Sequence, residues 1–561
     1  MTTREPTPID HIAEEHARAI LALSPLTATA VGEPGYDHLL DDLSPAGHAA
    51  VDEQNRRTLA ALAQTEVVDA VDQVTVAALR DRLGLAVEGY QAGDHLRDLN
   101  TIASPLQEVR DVFDLMPTAS ADDWATVARR LAALPDALSG YAATLREGIG
   151  TGIVPAERQV RAARITAAHH ADPASSFFTA LIAAARPDGD VPGAALAADL
   201  AAGAARARAA FRTLATFLGE ELAPAAVADD AVGPERYARA SRSFVGATLD
   251  LDETYAWGID QLASIAEEQR RLSREILGHE GDLAETVAHL NADPATQLHG
   301  TAALREWMQA TADEAIAALH GVHFDIPEPV RTVEAMIAPT QTGGIYYTPP
   351  SDDFSRPGRM WWSVPAGTTT FATWSERTTV YHEGVPGHHL QFGQAAVNPD
   401  LNRWRRQFCW LSGHGEGWAL YAERLMDEFG FLPHPGERFG MLDAQRMRAV
   451  RVVIDIGLHL GRPAFAAYGG GRWDYDKATA LFADQVTMGA AERTFEMNRY
   501  AGWPGQAPSY LVGQRLWQQT REAAEKAARA RGEVFSLKDF HTRALNLGSV
   551  PLDVLADQMT R

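Results

Sequence analysis

From its start to about residue 322 the chain repeats apolar residues at helical spacing, interrupted by short stretches rich in Pro, Gly and Asp such as "ARPDGDVPG" at 185–193. The segment "AARARAAFRTLATFLGEELAP" is representative: amphipathic, rich in helix formers and without chemically suggestive side chains. No fixed-period repeat is present, so the pattern predicts many packed helices rather than a solenoid. Between about 330 and 365 the texture changes. The runs "VRTVEAMIAP", "GGIYYTPP" and "GRMWWSVP" are short, β-branched or aromatic, and bounded by Gly and Pro. They predict a small antiparallel sheet. Helical patterning returns from residue 369 and continues to the end. The expected architecture is therefore mostly α, a large helical body with a small antiparallel sheet next to a histidine-bearing helix. Its natural division is 1–329, a helical part, and 330–561, the sheet with a second helical part.

The 561 residues are 46% apolar and 22% charged, ordinary proportions for a globular chain. A formal charge of −24 argues against nucleic-acid or anionic-membrane partners, which require a basic face. One cysteine excludes an intramolecular disulfide framework and any Cys-rich zinc site, which suits a reducing compartment. The opening residues carry no signal-peptide pattern, and no run reaches about 18 uninterrupted apolar residues. A cytoplasmic location is expected. Nothing in the sequence indicates an oligomeric state.

The stretch "YHEGVPGHHLQ" at 381–391 begins like the zinc-protease motif H-E-x-x-H, in which two histidines one turn apart bind a metal and the adjacent Glu takes a proton from its water. Here Pro386 stands where the second histidine belongs, and the next histidines are His388 and His389. On an unbroken helix six steps turn about 600°, leaving the side chain about 240° off the starting direction and about 9 Å along the axis. Seven steps return to the same face but separate the backbones by about 10.5 Å, too far for two rings that must each lie about 2 Å from one ion. A straight helix is incompatible with a metal site. Pro386 and Gly387 together predict a bulge that loops two residues out and returns His388 to register. The competing reading is a Gly/Pro turn whose three histidines cap helices.

Two glutamates downstream, Glu416 and Glu423 in "SGHGEGWALYAERL", are seven apart and share a helix face with Leu420. Glu416 is expected to complete the metal set and Glu423 to orient a histidine, the converse assignment remaining open. The stretch "RAVRVVIDIGLHLGRP" is apolar nearly all round, hence buried, with Arg451, Asp455 and His459 along one stripe. That stripe is either an internal ion-pair ladder or a cavity wall facing substrate. Finally "NRYAGWPGQAPSYLVGQRLW" brings Tyr500, Gln506 and Tyr510 around a turn. Tyr510 is the first candidate for an oxyanion donor, with Tyr500 and Arg499 as competitors.

Taken together, "SPLTATAVGEPGYD", "YHEGVPGHHLQ", "EGWALYAE", "RVVIDIGLH", "PGQAPSYLVGQ" and "FSLKDFHTRALNLGSVPLDVL" span nearly the whole chain and resemble the bacterial domain-of-unknown-function 885 (DUF885) family. In outline the chain is similar to glutamate-type zincin peptidases, including M3 oligopeptidases, M32 carboxypeptidases and angiotensin-converting enzyme. The clan resemblance implies a helical body split by a deep cleft with the metal at its floor. It also implies a sheet edge, "GGIYYTPP" or "GRMWWSVP", along which an extended substrate lies.

The expected function is a zinc-dependent, metallopeptidase-like hydrolase of amide bonds in small peptides or peptide-like metabolites. His382, His388 and Glu416 would hold one Zn2+, with Glu383 as general base and Tyr510 as oxyanion donor. His389, Glu423, Arg451, Asp455, His459, Arg499, Tyr500 and Gln506 would support the ligands or meet substrate. Two alternatives remain: metal-dependent chemistry on a non-peptide metabolite, or an inactive binding protein on the zincin scaffold.

Overall fold

In the computed structural model, which describes residues 4–339, 344–351 and 354–561, helices dominate from end to end. Met1–Thr3 of the opening stretch and Gly343 of "GGIYYTPP" lie outside the described residues. Helix ends follow the local chemistry. Ala121–Thr151, for example, starts at Ser120, whose side chain accepts from the Asp123 amide, and stops at left-handed Gly152. Its Trp124, Leu131, Leu138 and Leu145 are buried. The "ARPDGDVPG" stretch separates helices Phe177–Ala183 and Ala194–Phe217, as its Pro and Gly content predicts.

Apolar burial falls into two clusters. One draws only on residues 26–222; the other runs from Ile9 to Leu83 and from Tyr237 to Met559, and it contains the histidine segment. Within the second, helix Pro435–Leu460 is buried at every position from Ala449 to His459. No helix of the described residues is long and apolar enough to cross a membrane.

The sheet region departs from expectation in direction. Strands β1 (Gln297–His299), β2 (Val333–Ile337), β3 (Ile345–Thr348), β4 (Gly358–Trp362) and β5 (Thr370–Ala372) form two sheets. In the larger, ordered β2-β4-β3, β4 is parallel to β2 and antiparallel to β3, so this sheet is mixed. Because β4 is bonded on both sides, "GRMWWSVP" cannot be a free edge; only β2 and β3 are. The smaller sheet pairs β1 with β5 antiparallel, and both strands lie in segments read as helical, β1 before residue 322 and β5 just after residue 369. A three-residue strand carries too little alternation to register in a sequence pattern.

Candidate metal centre

Helix Thr373–Glu383 carries His382 and Glu383 in its last turn, and helix His388–Val397 begins at His388. The expected bulge is thus a full break. Pro386 has no amide hydrogen to continue the ladder. The Gly387 amide instead reaches back six residues to the Tyr381 carbonyl at 3.0 Å, and the His389 amide reaches the Gly384 carbonyl at 3.1 Å. A six-residue step in place of four is two residues of excess chain, the number needed to restore His388 to the metal-facing direction. Gly387 is required by contact: a Cβ there would lie 1.9 Å from the His382 carbonyl oxygen. The indole Nε1–H of buried Trp418 donates to the Pro386 carbonyl at 2.9 Å, so the exposed peptide is satisfied from the neighbouring helix.

The break brings the His382 and His388 rings to 4.9 Å between centroids at 88°. Glu416, from helix Ser412–Glu428, points Oε2 to within 3.3 Å of His382 Nε2 and 3.6 Å of His388 Nε2. One donor atom from each of the three lies within 4.8 Å of the others. Tetrahedral arms of about 2.0–2.1 Å place ligand atoms about 3.3–3.4 Å apart, so this donor set fits a zinc-sized ion. Nδ1 of His388 is buried without a hydrogen-bond partner among the described residues.

Glu423, one helical face along from Glu416, accepts from His382 Nδ1 at 2.8 Å and from the Thr378 hydroxyl, one turn earlier on the histidine helix. With Nδ1 committed as donor, Nε2 of His382 faces Glu416 as a lone pair or as a second N–H. Burial would lower His382, but its hydrogen bonds to the Glu416 and Glu423 carboxylates outweigh it and raise the imidazole to about 10. Burial would likewise raise Glu416, yet its hydrogen bonds to both histidines hold it well below the usual carboxylate range.

Glu383 differs from its neighbours. It is buried and makes no hydrogen bond or ion pair with any described residue. Burial raises its carboxyl pKa, against the lowering charges of His382 and His388. A buried carboxylate without a protein partner is unfavourable unless something else occupies its lone pairs.

His389 turns away from the triad. Its Nε2–H donates to the Val330 carbonyl at 2.8 Å, leaving Nδ1 to accept from the Tyr347 hydroxyl at 2.9 Å, and burial pushes it down to about 4. It is a neutral staple joining the second histidine helix to β3 and to the segment before β2.

Helix Ser509–Ala530 bears Tyr510 and packs against the Glu416 helix at backbone contact. A Cβ on Gly417 would lie 2.4 Å from the Gly513 carbonyl carbon, and the Ser412 and Ser509 hydroxyls are 2.8 Å apart. Tyr510 consequently feels the Glu416 charge. Burial and that charge raise its phenol above the ordinary value, against Arg499, Arg451 and Arg448. The Arg451 and Arg448 guanidiniums lie 5.1 and 6.0 Å from its ring centre.

Arg451, Asp455 and His459 form no ladder. Arg451 donates to the Tyr500 hydroxyl at 2.7 Å and to Glu496 at 2.9 Å. Tyr500 itself donates to Glu496, which also accepts from Arg499; Arg499 further binds Gln506 at 2.5 Å. Asp455 accepts from Tyr237 at 2.6 Å and from the Gly505 amide at 2.9 Å, and His459 Nε2 bonds the Tyr500 carbonyl at 2.9 Å. Asp455 and His459, expected beside the ligands or substrate, thus direct these bonds to the framework behind the site, and none of their hydrogen bonds reaches the triad. Tyr500 as oxyanion donor is disfavoured by its engagement with Arg451 and Glu496.

Sequence reasoning passed over Arg448, Tyr347, Thr378, Phe392 and Trp410. Trp410 is 43% exposed and stacks on Phe392 at 4.9 Å, with His388 6.2 Å away. An exposed Trp beside a Gly-rich helix start was the available signal.

A family model described as a bacterial protein of unknown function, DUF885, matches residues 25–559. Among solved structures, a protein from Colwellia psychrerythraea, provisionally described as a lipoprotein, is similar at 21% identity and TM-score 0.82, covering 98% of both chains. Another from Shewanella oneidensis, provisionally described as a lipoprotein of unknown function, is similar at 15% identity and TM-score 0.75, covering 99% of this chain and 100% of its own. These likenesses establish the fold. A Bacillus anthracis protein provisionally described as oligoendopeptidase F reaches a TM-score of only 0.32 at 12% identity over 99% of this chain and 93% of its own, too low to carry an argument. Curated proteins include no match.

Proposed function

Because the chain belongs to the DUF885 family of bacterial proteins of unknown function, we propose its activity from the site alone: zinc-dependent, metallopeptidase-like hydrolysis of amide bonds in small peptides or peptide-like metabolites. One observation carries this reading. Three donor atoms from His382, His388 and Glu416 converge within 4.8 Å beside Glu383, a buried carboxylate with no partner among the described residues. These three residues would hold one Zn2+. When bound, the ion would supply Lewis acidity toward a carbonyl oxygen and toward water.

The other roles belong to the chain. Glu383 accepts the proton of the attacking water and delivers it to the leaving amine. Glu423 keeps the His382 ring in one tautomer and orientation. Tyr510, held protonated at neutral pH by burial and the Glu416 charge, donates to the oxyanion that develops on the substrate carbonyl. The Phe392–Trp410 pair offers an apolar shelf for a substrate side chain next to His388.

Elemental analysis of the purified protein together with Glu383→Gln tests the proposal. One zinc per chain is expected, retained in the variant, with turnover of a peptide amide lowered about 10²–10⁴-fold. Unchanged turnover removes Glu383 from the chemistry, and failure to bind zinc removes the reading. The cytoplasmic location is proposed on the single cysteine, buried Cys409, and subcellular fractionation tests it.

A further inference from the structure

A cavity of about 490 Å³ opens between helix Ala70–Gln91, the short turn Asp94–Arg97, helix Pro234–Val245 and the turn at Gly502, Trp503 and Pro504. Its size is that of a small-molecule site. Four guanidinium groups line it, those of Arg82, Arg97, Arg236 and Arg239, against two carboxylates, Asp94 and Asp98. The lining thus carries more positive than negative groups, although the chain's formal charge is −24.

The internal pairing is incomplete. Asp94 binds Arg97 at 3.0 Å and Arg239 at 3.1 Å and is thereby used up. Arg82 lies 3.6 Å from Asp81 and 3.5 Å from the Ser243 hydroxyl, and its Nη1 is buried without a hydrogen bond among the described residues, as is Nε of Arg97. Arg236 makes no hydrogen bond or ion pair with any described residue. Asp98, across the cavity, is not within ion-pair distance of it. Burial first, then the charge of Arg97, pushes the Arg236 guanidinium down to about 10, although Asp94 and Asp98 pull the other way. A partly buried guanidinium with free donors, set beside other guanidiniums, favours an incoming anion.

We propose that this cavity binds a small oxyanion, a carboxylate or a phosphate, through Arg236 and Arg82 with Trp503 as part of its wall. The site is separate from the metal centre, and its wall leads through Gly505 and Gln506 into the helix that bears Tyr510.

Calorimetric titration of the full chain with inorganic phosphate, and separately with succinate, tests it. Saturable binding of one ion per chain is expected for at least one probe, and which of them binds distinguishes the phosphate from the carboxylate form of the site. Arg236→Gln is expected to weaken that binding at least about tenfold, the scale of a charge-assisted hydrogen bond. Arg82→Gln should shift it in the same direction and decides the matter if the first variant does not fold. Arg57→Gln, on an exposed helix face, should leave it unchanged. No saturable binding of either probe overturns the proposal. So does wild-type affinity in both cavity variants, or equal weakening in Arg57→Gln.

Discussion

Two buried polar regions lie within the same apolar cluster and direct their polar atoms differently. Along helix Pro435–Leu460, Asp455 and His459 are fully buried, and their bonds go to Tyr237, Gly505 and Tyr500. Around the helix break, Glu383 has no partner among the described residues, and one ligand atom each of His382, His388 and Glu416 lies within 4.8 Å of the others. Burial is common to both. What separates a framework from a candidate site is where the bonds go: those of Asp455 and His459 run to their own framework, although Asp455 Oδ2 and His459 Nδ1 have no partner among the described residues, whereas three donor atoms of the second region converge on one point.

The sharpest way to break this comparison is a pair of histidine replacements. His388→Ala is expected to abolish stoichiometric zinc, and His459→Ala to leave zinc content intact while lowering the unfolding temperature. Metal loss in both would erase the distinction.

The framework makes its own pH prediction. Burial raises Asp455 to about 7, despite the hydrogen bonds from Tyr237 and Gly505. A carboxyl raised above its unfolded value binds its proton more tightly when folded, so its stabilisation is complete below about pH 4 and is lost as pH climbs through about 7. Relative to Asp455→Asn, the wild type should lose up to about 4 kcal/mol between those limits. Denaturant titrations at both ends would show it, and parallel curves for the two proteins would refute it.

Glu423 is the intermediate case, buried and satisfied yet bonded to a proposed ligand. Glu423→Gln should weaken zinc about 10–100-fold, measured by competition with a chelator, with little change in fold. The smallest effect belongs to the exposed shelf. Trp410→Ala is expected to raise KM several-fold with kcat nearly unchanged, because it removes apolar contact made equally in ground and transition states.

Much of this was legible in the chain. Helical periodicity marked the mostly α body, and the Ala449–His459 run was recognisably buried all round. The spacing of His382, Pro386 and His388 ruled out a straight helix for any metal shared by the two histidines. What the local pattern missed has a common cause. A three-residue strand such as β1 has too few positions to alternate, and the parallel pairing of β2 with β4 depends on a connection through β3. His389 and His388 are adjacent in sequence and alike in composition. Only Val330, 59 residues away, and Tyr347 made one a staple and left the other facing Glu416.

By itself the sequence determined that Pro386 and Gly387 interrupt a histidine helix, since a missing amide hydrogen and an absent Cβ act within a few residues. Tertiary structure alone decided that the interruption is a complete break held by Trp418, that Glu423 clamps His382, and that Glu383 is left without a partner among the described residues. Those outcomes depend on which distant groups complete each hydrogen bond in the interior, and that is settled by packing between helices rather than by the residues along one of them.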